Sequence, residues 1–108
     1  MNINLPEPIA AYFAAEKLNG EAVARCFTNR AIVKDDGHTY TGLAAIKRWK
    51  ADAAAKFQYA IEPLSSEQQN GTTVVMSRLT GNFPGSPVTL QFLFRLERGK
   101  IASLEIIP

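Results

Sequence analysis

Apolar residues recur at helical spacing in the first half of the chain. Ile9, Tyr12 and Phe13 predict a first helix, and Asn19-Gly20 would end it because glycine tolerates the left-handed conformation that closes many helices. Residues 21–27 predict a second, shorter helix. A third helix is predicted over residues 43–56. Its apolar face, with members three or four positions apart, comprises Ile46, Trp49, Ala53 and Phe57.

Alternation of apolar and polar residues, which is typical of strands, dominates the second half of the chain. The predicted strands are residues 57–67, 72–81, 88–97 and 101–107. Asn70-Gly71 favours a tight hairpin turn because both residues tolerate positive φ. A small hairpin, with strands at residues 31–34 and 38–41, is predicted before the third helix.

Helices and strands are therefore segregated along the chain, which predicts an α+β fold. We expect one domain over residues 1–108. Four consecutive strands joined by short turns would form a curved antiparallel sheet, and the three helices of the N-terminal half would cover its concave side. Such a cone encloses an apolar cavity, which is a usual place for a small-molecule site.

Composition and charge narrow the classes of partner. The net charge is only +2, and most basic residues are scattered. Lys47, Arg48 and Lys50 do cluster, but we expect them on a solvated helix face rather than against nucleic acid. No apolar run is long enough for a membrane helix and no secretion signal is recognisable. The single cysteine, Cys26, excludes an intramolecular disulfide, so we expect a cytoplasmic protein.

Asp35 is the first candidate for chemistry. It follows the apolar strand 31–34 and opens the turn Asp35-Asp36-Gly37. As a turn former it would only bond to nearby backbone. Beside an apolar cavity, the same carboxylate could serve as a general base, because desolvation makes a carboxylate hold a proton more readily. The sequence leaves both interpretations open.

Other side chains could shape a site around Asp35. His38, the only histidine, is either an exposed hairpin residue or a base held by Asp35 or Asp36. Tyr12 is expected in the core with its hydroxyl reaching the cavity. Four aromatic residues are expected to pack the core or contact a ligand: Phe13, Trp49, Phe57 and Phe92. One histidine without Cys or His at ligand spacing builds no zinc site, so neither a metal nor a cofactor is expected.

The order, spacing and turns of these elements resemble the nuclear-transport-factor-2-like superfamily, and within it the SnoaL-like and ketosteroid-isomerase-like proteins. The resemblance covers nearly the whole chain, in the stretches 12–15, 22–27, 31–35, 40–46, 94–96 and 99–101. It implies a cone made by a strongly bent sheet around a long helix, open at one end. It also implies a homodimer formed through the outer sheet face, where Thr89, Gln91 and Leu93 would lie.

The resemblance also assigns roles within the site. It places Asp35 where the isomerases carry their general base, and Tyr12 near the tyrosine that donates to the developing oxyanion. The isomerases use a protonated acid as a second oxyanion donor, and this chain has Phe92 at that position. Loss of one such donor costs on the order of 3 kcal/mol of transition-state stabilisation.

Two functions follow from these observations. The first is a cofactor-independent isomerase- or cyclase-type enzyme that binds a small apolar or polycyclic molecule and uses Asp35 as its acid–base group. The second is a non-catalytic module of the same fold that binds a ligand or another protein. The position of Asp35 favours the first, and the phenylalanine at position 92 favours the second.

Overall fold

Three helices and six strands make up the computed structural model, which describes residues 3–108. The helices are α1 (Glu7–Ala15), α2 (Gly20–Ala24) and α3 (Leu43–Lys56). The strands are β1 (Phe27–Asp35), β2 (His38–Thr41), β3 (Tyr59–Gln69), β4 (Thr72–Gly81), β5 (Val88–Glu97) and β6 (Lys100–Ile107). All three predicted helices and all six predicted strands are present, and the α+β fold is confirmed.

The six strands form one curved, unclosed sheet in the order β2-β1-β6-β5-β4-β3. The sheet was expected to be antiparallel throughout, but it is mixed, because β1 and β6 run parallel. The N-terminal hairpin does not pair with the strand that follows it in sequence. It pairs instead with the last strand, where Val33 lies opposite Leu104. The other four strand pairs are antiparallel.

The second helix is shorter than the sequence predicts. α2 ends at Ala24, and Phe27 already begins β1 instead of closing the helix. The sheet takes over here because the Ile101 N–H donates to the Cys26 carbonyl at 2.9 Å and Phe27 pairs with Ile101. Tertiary pairing thus overrides a helical pattern of only a few residues.

A close contact between α2 and α3 fixes the position of the longest helix. A Cβ on Gly20 would lie 2.8 Å from the Lys47 carbonyl oxygen and 3.4 Å from the Lys50 Cβ. Only glycine lets the two backbones approach this closely. The contact matters for the site because α3 carries several of the residues that face the cavity.

The packed core lies toward one end of the sheet and the cavity toward the other. Along β5, Phe94 is fully buried in the core, whereas Leu90 lines the cavity. β6 divides in the same way, with Leu104 in the core and Ile106 at the cavity wall. α3 follows the pattern, from the buried Ile46 to Ala53 beside the cavity. Within residues 3–108, no helix is long and apolar enough to cross a membrane.

Candidate functional site

A cavity of about 700 Å³ occupies the open end of the cone. Its walls come from the second half of α3, the hairpin β1–β2 and the loop before β5. The start of β3, the end of β4, the start of β5 and the end of β6 complete them. Most of the wall is apolar, and it includes Ile61, Leu79, Val88, Leu90, Phe92 and Ile106. A cavity of this size and lining is typical of sites for drug-sized molecules.

Asp35 lies on the wall of this cavity. Ala31 and Val33 are buried on the concave face of β1, and strand alternation places Asp35 on the same face. The turn itself is made by Asp36 and Gly37, both with positive φ, while Asp35 still pairs with His38 across the hairpin. Asp35 is therefore a half-buried strand residue facing the cavity rather than the turn former.

The Asp35 carboxylate is held by a tryptophan from α3. The indole Nε1–H of Trp49 donates to Asp35 Oδ2 at 3.0 Å. Trp49 is only 5% exposed, and its ring lies 6.1 Å from the ring of Tyr40 on β2. Because Trp49 is fixed by its packing, it fixes the direction of the carboxylate as well. The second oxygen, Oδ1, makes no hydrogen bond within residues 3–108.

His38 lies at the rim of the cavity and is exposed. Its Nδ1 is 2.9 Å from the backbone carbonyl oxygen of Asp36, so Nδ1 carries the proton and donates. Of the two alternatives, the structure shows the exposed hairpin residue, because the pairing with the carboxylate of Asp35 or Asp36 does not form within the described residues. The backbone contact fixes the ring beside the entrance.

Two of the predicted site residues lie behind the cavity. Tyr12 is fully buried, and its hydroxyl donates to Glu16 Oε2 instead of reaching the cavity. Burial, reinforced by the Glu16 carboxylate, raises the pKa of Tyr12 well above its ordinary value. Phe13 packs against Tyr12 at 5.1 Å between ring centroids and against Phe92 at 5.7 Å. Tyr12 is thus in the core as expected, but its hydroxyl does not reach the cavity, and Phe13 takes the core-packing alternative.

The other predicted aromatic residues do reach the cavity. Trp49 and Phe92 are nearly fully buried and contribute to its inner wall. Phe57 lies nearer the entrance, where its ring packs edge-to-face against Phe83 at 6.1 Å. The structure thus brings together five of the seven predicted site residues: Asp35, His38, Trp49, Phe57 and Phe92.

A buried ion pair beside the cavity was not predicted from the sequence. Lys50 Nζ lies 2.7 Å from Glu16 Oε2, and the two side chains are 8% and 6% exposed. Nζ also donates to the Tyr59 hydroxyl at 3.0 Å. Lys50 was expected on a solvated face, but it is four residues after Ile46 and therefore on the apolar side of α3. That spacing was the signal that could have revealed it.

The partners of Lys50 keep its ammonium group protonated. Burial by itself would lower the pKa of the Lys50 ammonium, but the Glu16 carboxylate and the Tyr59 hydroxyl outweigh this effect and raise the pKa. Lys50 is thus a cation at neutral pH. Within residues 3–108, no group of three His, Cys, Asp or Glu side chains could hold a metal ion.

Comparisons with known proteins agree with this architecture. The family model of the SnoaL-like domain matches residues 9–104. A proposed polyketide cyclase from Sinorhizobium meliloti is 38% identical, with a TM-score of 0.90 and 94% of each chain covered. No curated protein matches the chain significantly.

Two more distant structures share the fold. One is a protein of ketosteroid-isomerase-like fold from Catenulispora acidiphila, in complex with trimethylamine. It is 22% identical with a TM-score of 0.85, over 97% of this chain and 87% of its own. The other is TerC, co-crystallised with polyporic acid, at 21% identity and a TM-score of 0.76, over 94% and 88%. The chain belongs to the SnoaL-like family of the nuclear-transport-factor-2-like superfamily.

Proposed function

We propose that the protein binds a small apolar or polycyclic molecule and catalyses an isomerase- or cyclase-type proton transfer on it without a cofactor. Asp35 would be the acid–base group. The observation that carries the proposal is the hydrogen bond from Trp49 to Asp35 in the wall of an otherwise apolar cavity. A carboxylate held in one direction beside an apolar site is the arrangement that general-base catalysis requires.

The reaction can be written with this chain's own groups. Asp35 Oδ1 removes a proton from a carbon next to a carbonyl group, and the electrons of that C–H bond form a carbon–carbon double bond. The electrons of the carbonyl double bond move onto its oxygen. When a carbon–carbon double bond is conjugated to this enolate, Asp35 returns the proton to its far carbon and the carbonyl group re-forms. In a cyclisation, the enolate carbon attacks a second carbonyl carbon of the ligand, the π electrons of that carbonyl move onto its oxygen, and this oxygen takes the proton from Asp35. The apolar walls exclude water, which strengthens every electrostatic interaction inside the cavity.

The relatives support this class of substrate. The Sinorhizobium meliloti relative is a proposed polyketide cyclase, and TerC was co-crystallised with polyporic acid. A cavity of about 700 Å³ lies in the range that is usual for drug-sized ligands.

The alternative is a binding module without catalysis. Two observations favour it: the Tyr12 hydroxyl is engaged with Glu16 in the core, and Phe92 offers no proton to a ligand. The two functions differ in one property, because only the enzyme needs the carboxylate of Asp35 for turnover. A ligand-binding module would tolerate its replacement by an amide.

Deuterium exchange separates the two functions. 2-Tetralone, a two-ring ketone with exchangeable protons next to its carbonyl, is incubated with the protein in heavy water and followed by NMR. We expect faster exchange with the parent and exchange at the buffer rate with Asp35→Asn. Asp36→Asn is the matched control, since Asp36 is the exposed neighbour in the turn. Equal rates for the parent and Asp35→Asn would favour the binding module.

We further propose that the protein is a cytoplasmic homodimer formed through the outer face of the sheet. Leu93 and Gln91 alternate with the buried Phe92 and Phe94, so they point to that outer face, and both are only half-buried. Ile32, on the outer face of β1, is 38% exposed. The apolar side chains of this outer face suit association with a second copy, although the same face also carries charged residues such as Arg95 and Glu105.

A further inference from the structure

Tyr59 is a further cavity-lining residue that carries a polar group. Tyr59 begins β3, directly after α3, and is half-buried. Its oxygen accepts a hydrogen bond from Lys50 Nζ at 3.0 Å. Within residues 3–108 the hydroxyl makes no other hydrogen bond, so no protein group takes its own proton. A phenol that accepts a hydrogen bond from a protein group, and whose own proton has no protein acceptor, can donate that proton to a ligand.

Lys50 also lines the cavity but is largely enclosed by its partners. Its ammonium is engaged by Glu16 at 2.7 Å and by the Tyr59 oxygen, and it lies 4.2 Å from the centroid of the Trp49 ring. These contacts surround the cation, and the residue is 8% exposed. An ammonium that donates to a phenol oxygen polarises the phenol, which makes its O–H a stronger donor. Lys50 is accordingly a positioning residue.

Trp49 contacts both Asp35 and Lys50, the cation that orients this donor. Trp49 donates to Asp35 through its indole nitrogen and carries the Lys50 ammonium beside its ring. Asp35 and Tyr59 both line the same cavity. A ligand in this cavity meets a proton acceptor in Asp35 and a proton donor in Tyr59.

We propose that Tyr59, oriented by Lys50, donates a hydrogen bond to the carbonyl or enolate oxygen of the ligand while Asp35 removes the neighbouring proton. The role of Asp35 in this arrangement rests on the function proposed above. Tyr59 supplies the donor that neither Tyr12 nor Phe92 can offer. The arrangement selects planar cyclic compounds that carry an enolisable carbonyl group or an acidic, phenol-like hydroxyl.

Binding of 4-nitrophenol tests the donor independently of catalysis. The neutral and ionised forms of this probe absorb at different wavelengths, and its anion mimics an enolate oxygen. We expect the protein to bind the ionised form more tightly than the neutral form. Tyr59→Phe should weaken binding of the ionised form about ten-fold, as loss of a hydrogen bond to a charged group implies. Binding of 4-nitroanisole, which lacks the acidic hydroxyl, should not change.

Matched variants separate a specific effect from a general loss of structure. Lys47→Met removes an exposed cation of α3 that does not line the cavity and should leave the preference for the ionised probe intact. Lys50→Met alone would leave Glu16 buried without its partner, so the double variant Glu16→Gln/Lys50→Met is used instead. It should lose the preference for the ionised probe and keep its affinity for 4-nitroanisole.

Unchanged binding of the ionised probe by Tyr59→Phe would overturn the proposal. The result is distinct from failure of the catalytic function. If the parent binds ionised 4-nitrophenol through Tyr59 but does not accelerate exchange of 2-tetralone, the result supports Tyr59 as a hydrogen-bond donor and contradicts the catalytic role of Asp35. If exchange depends on Asp35 but is the same in Tyr59→Phe, the role of Tyr59 in the reaction falls.

Discussion

Trp49 donates its indole N–H to Asp35 Oδ2 at 3.0 Å, which joins the longest helix to the end of β1 at the cavity wall. The contact determines where the carboxylate points, because Trp49 is itself fixed in the core. Removing the hydrogen bond should therefore affect the chemistry more than the fold.

Trp49→Phe tests the importance of this contact. The variant keeps an aromatic ring in the core but loses the donor, so we expect 2-tetralone exchange to fall about ten-fold or more as the carboxylate loses its fixed direction. Tyr40→Phe is the control, since Tyr40 packs beside Trp49 without bonding to Asp35. Equal exchange rates in the parent and Trp49→Phe would show that Asp35 needs no such support.

Removing one partner of the buried Lys50–Glu16 ion pair should cost more stability than removing both charges. Lys50→Met leaves the Glu16 carboxylate buried without a cation, so we expect a loss of about 3–5 kcal/mol in the free energy of unfolding. Glu16→Gln/Lys50→Met should recover most of that loss, because no uncompensated charge remains. Urea unfolding measures both, and a double variant no more stable than Lys50→Met would contradict this explanation.

Stability should fall at alkaline pH. Burial and then Glu16 raise the pKa of Tyr12 above 10.0, so above that pH the unfolded chain loses a proton that the folded chain keeps. The pKa of Lys50 is also raised, from 10.5, and its contribution is present below that value and lost as pH rises through the folded pKa. Both effects lower the free energy of unfolding as the pH rises.

Burial also raises the pKa of the Cys26 thiol from 9.0, so urea unfolding from about pH 8 to about pH 11.5 should show a stability that begins to decline above about pH 9 and falls further above pH 10. Tyr12→Phe removes one of these three groups and should make the decline above pH 10 shallower. An equally steep decline in the variant would exclude Tyr12 as a cause.

Ser77 should be replaceable at no cost. Its side chain is fully buried on β4, and within residues 3–108 its Oγ has no hydrogen-bond partner. Ser77→Ala removes an unsatisfied polar atom, so we expect the free energy of unfolding to rise by about 1 kcal/mol. Thr73→Val is the contrasting variant, because the Thr73 hydroxyl accepts from Gln68 at 2.7 Å. A clear loss of stability in Ser77→Ala would show that the hydroxyl has a partner, such as an ordered water.

If the proposed dimer forms, a single charged substitution in its interface should convert it into a monomer. Leu93→Arg places a charge on the outer face of β5 and should convert a dimer into a monomer in sedimentation velocity. Leu18→Arg changes a leucine that is 73% exposed, after α1 and away from the sheet, and should leave the dimer intact. A parent that sediments as a monomer would contradict the proposed interface.

The sequence predicted the elements and much of the cavity wall, because periodicity directly reports which residues share a face. Asp35 follows Ala31 and Val33 at the strand period, and its position facing the cavity follows from that spacing. The place of Tyr12 depended instead on how α1 lies across the sheet, which local periodicity does not determine. Lys50 was missed because its charge suggested solvent, although its spacing from Ile46 indicated the buried side of α3. Parallel pairing of β1 with β6 likewise depends on long-range packing.

The rate of 2-tetralone exchange in heavy water shows whether Asp35 is the base of this cavity. The parent should accelerate exchange, Asp35→Asn should lower the protein-dependent rate about 100-fold or more, and Asp36→Asn should not lower it. Binding of 4-nitroanisole by Asp35→Asn, at the parent's affinity, would show that the cavity is intact. A protein-dependent rate that is the same in the parent and Asp35→Asn would rule out Asp35 as the base.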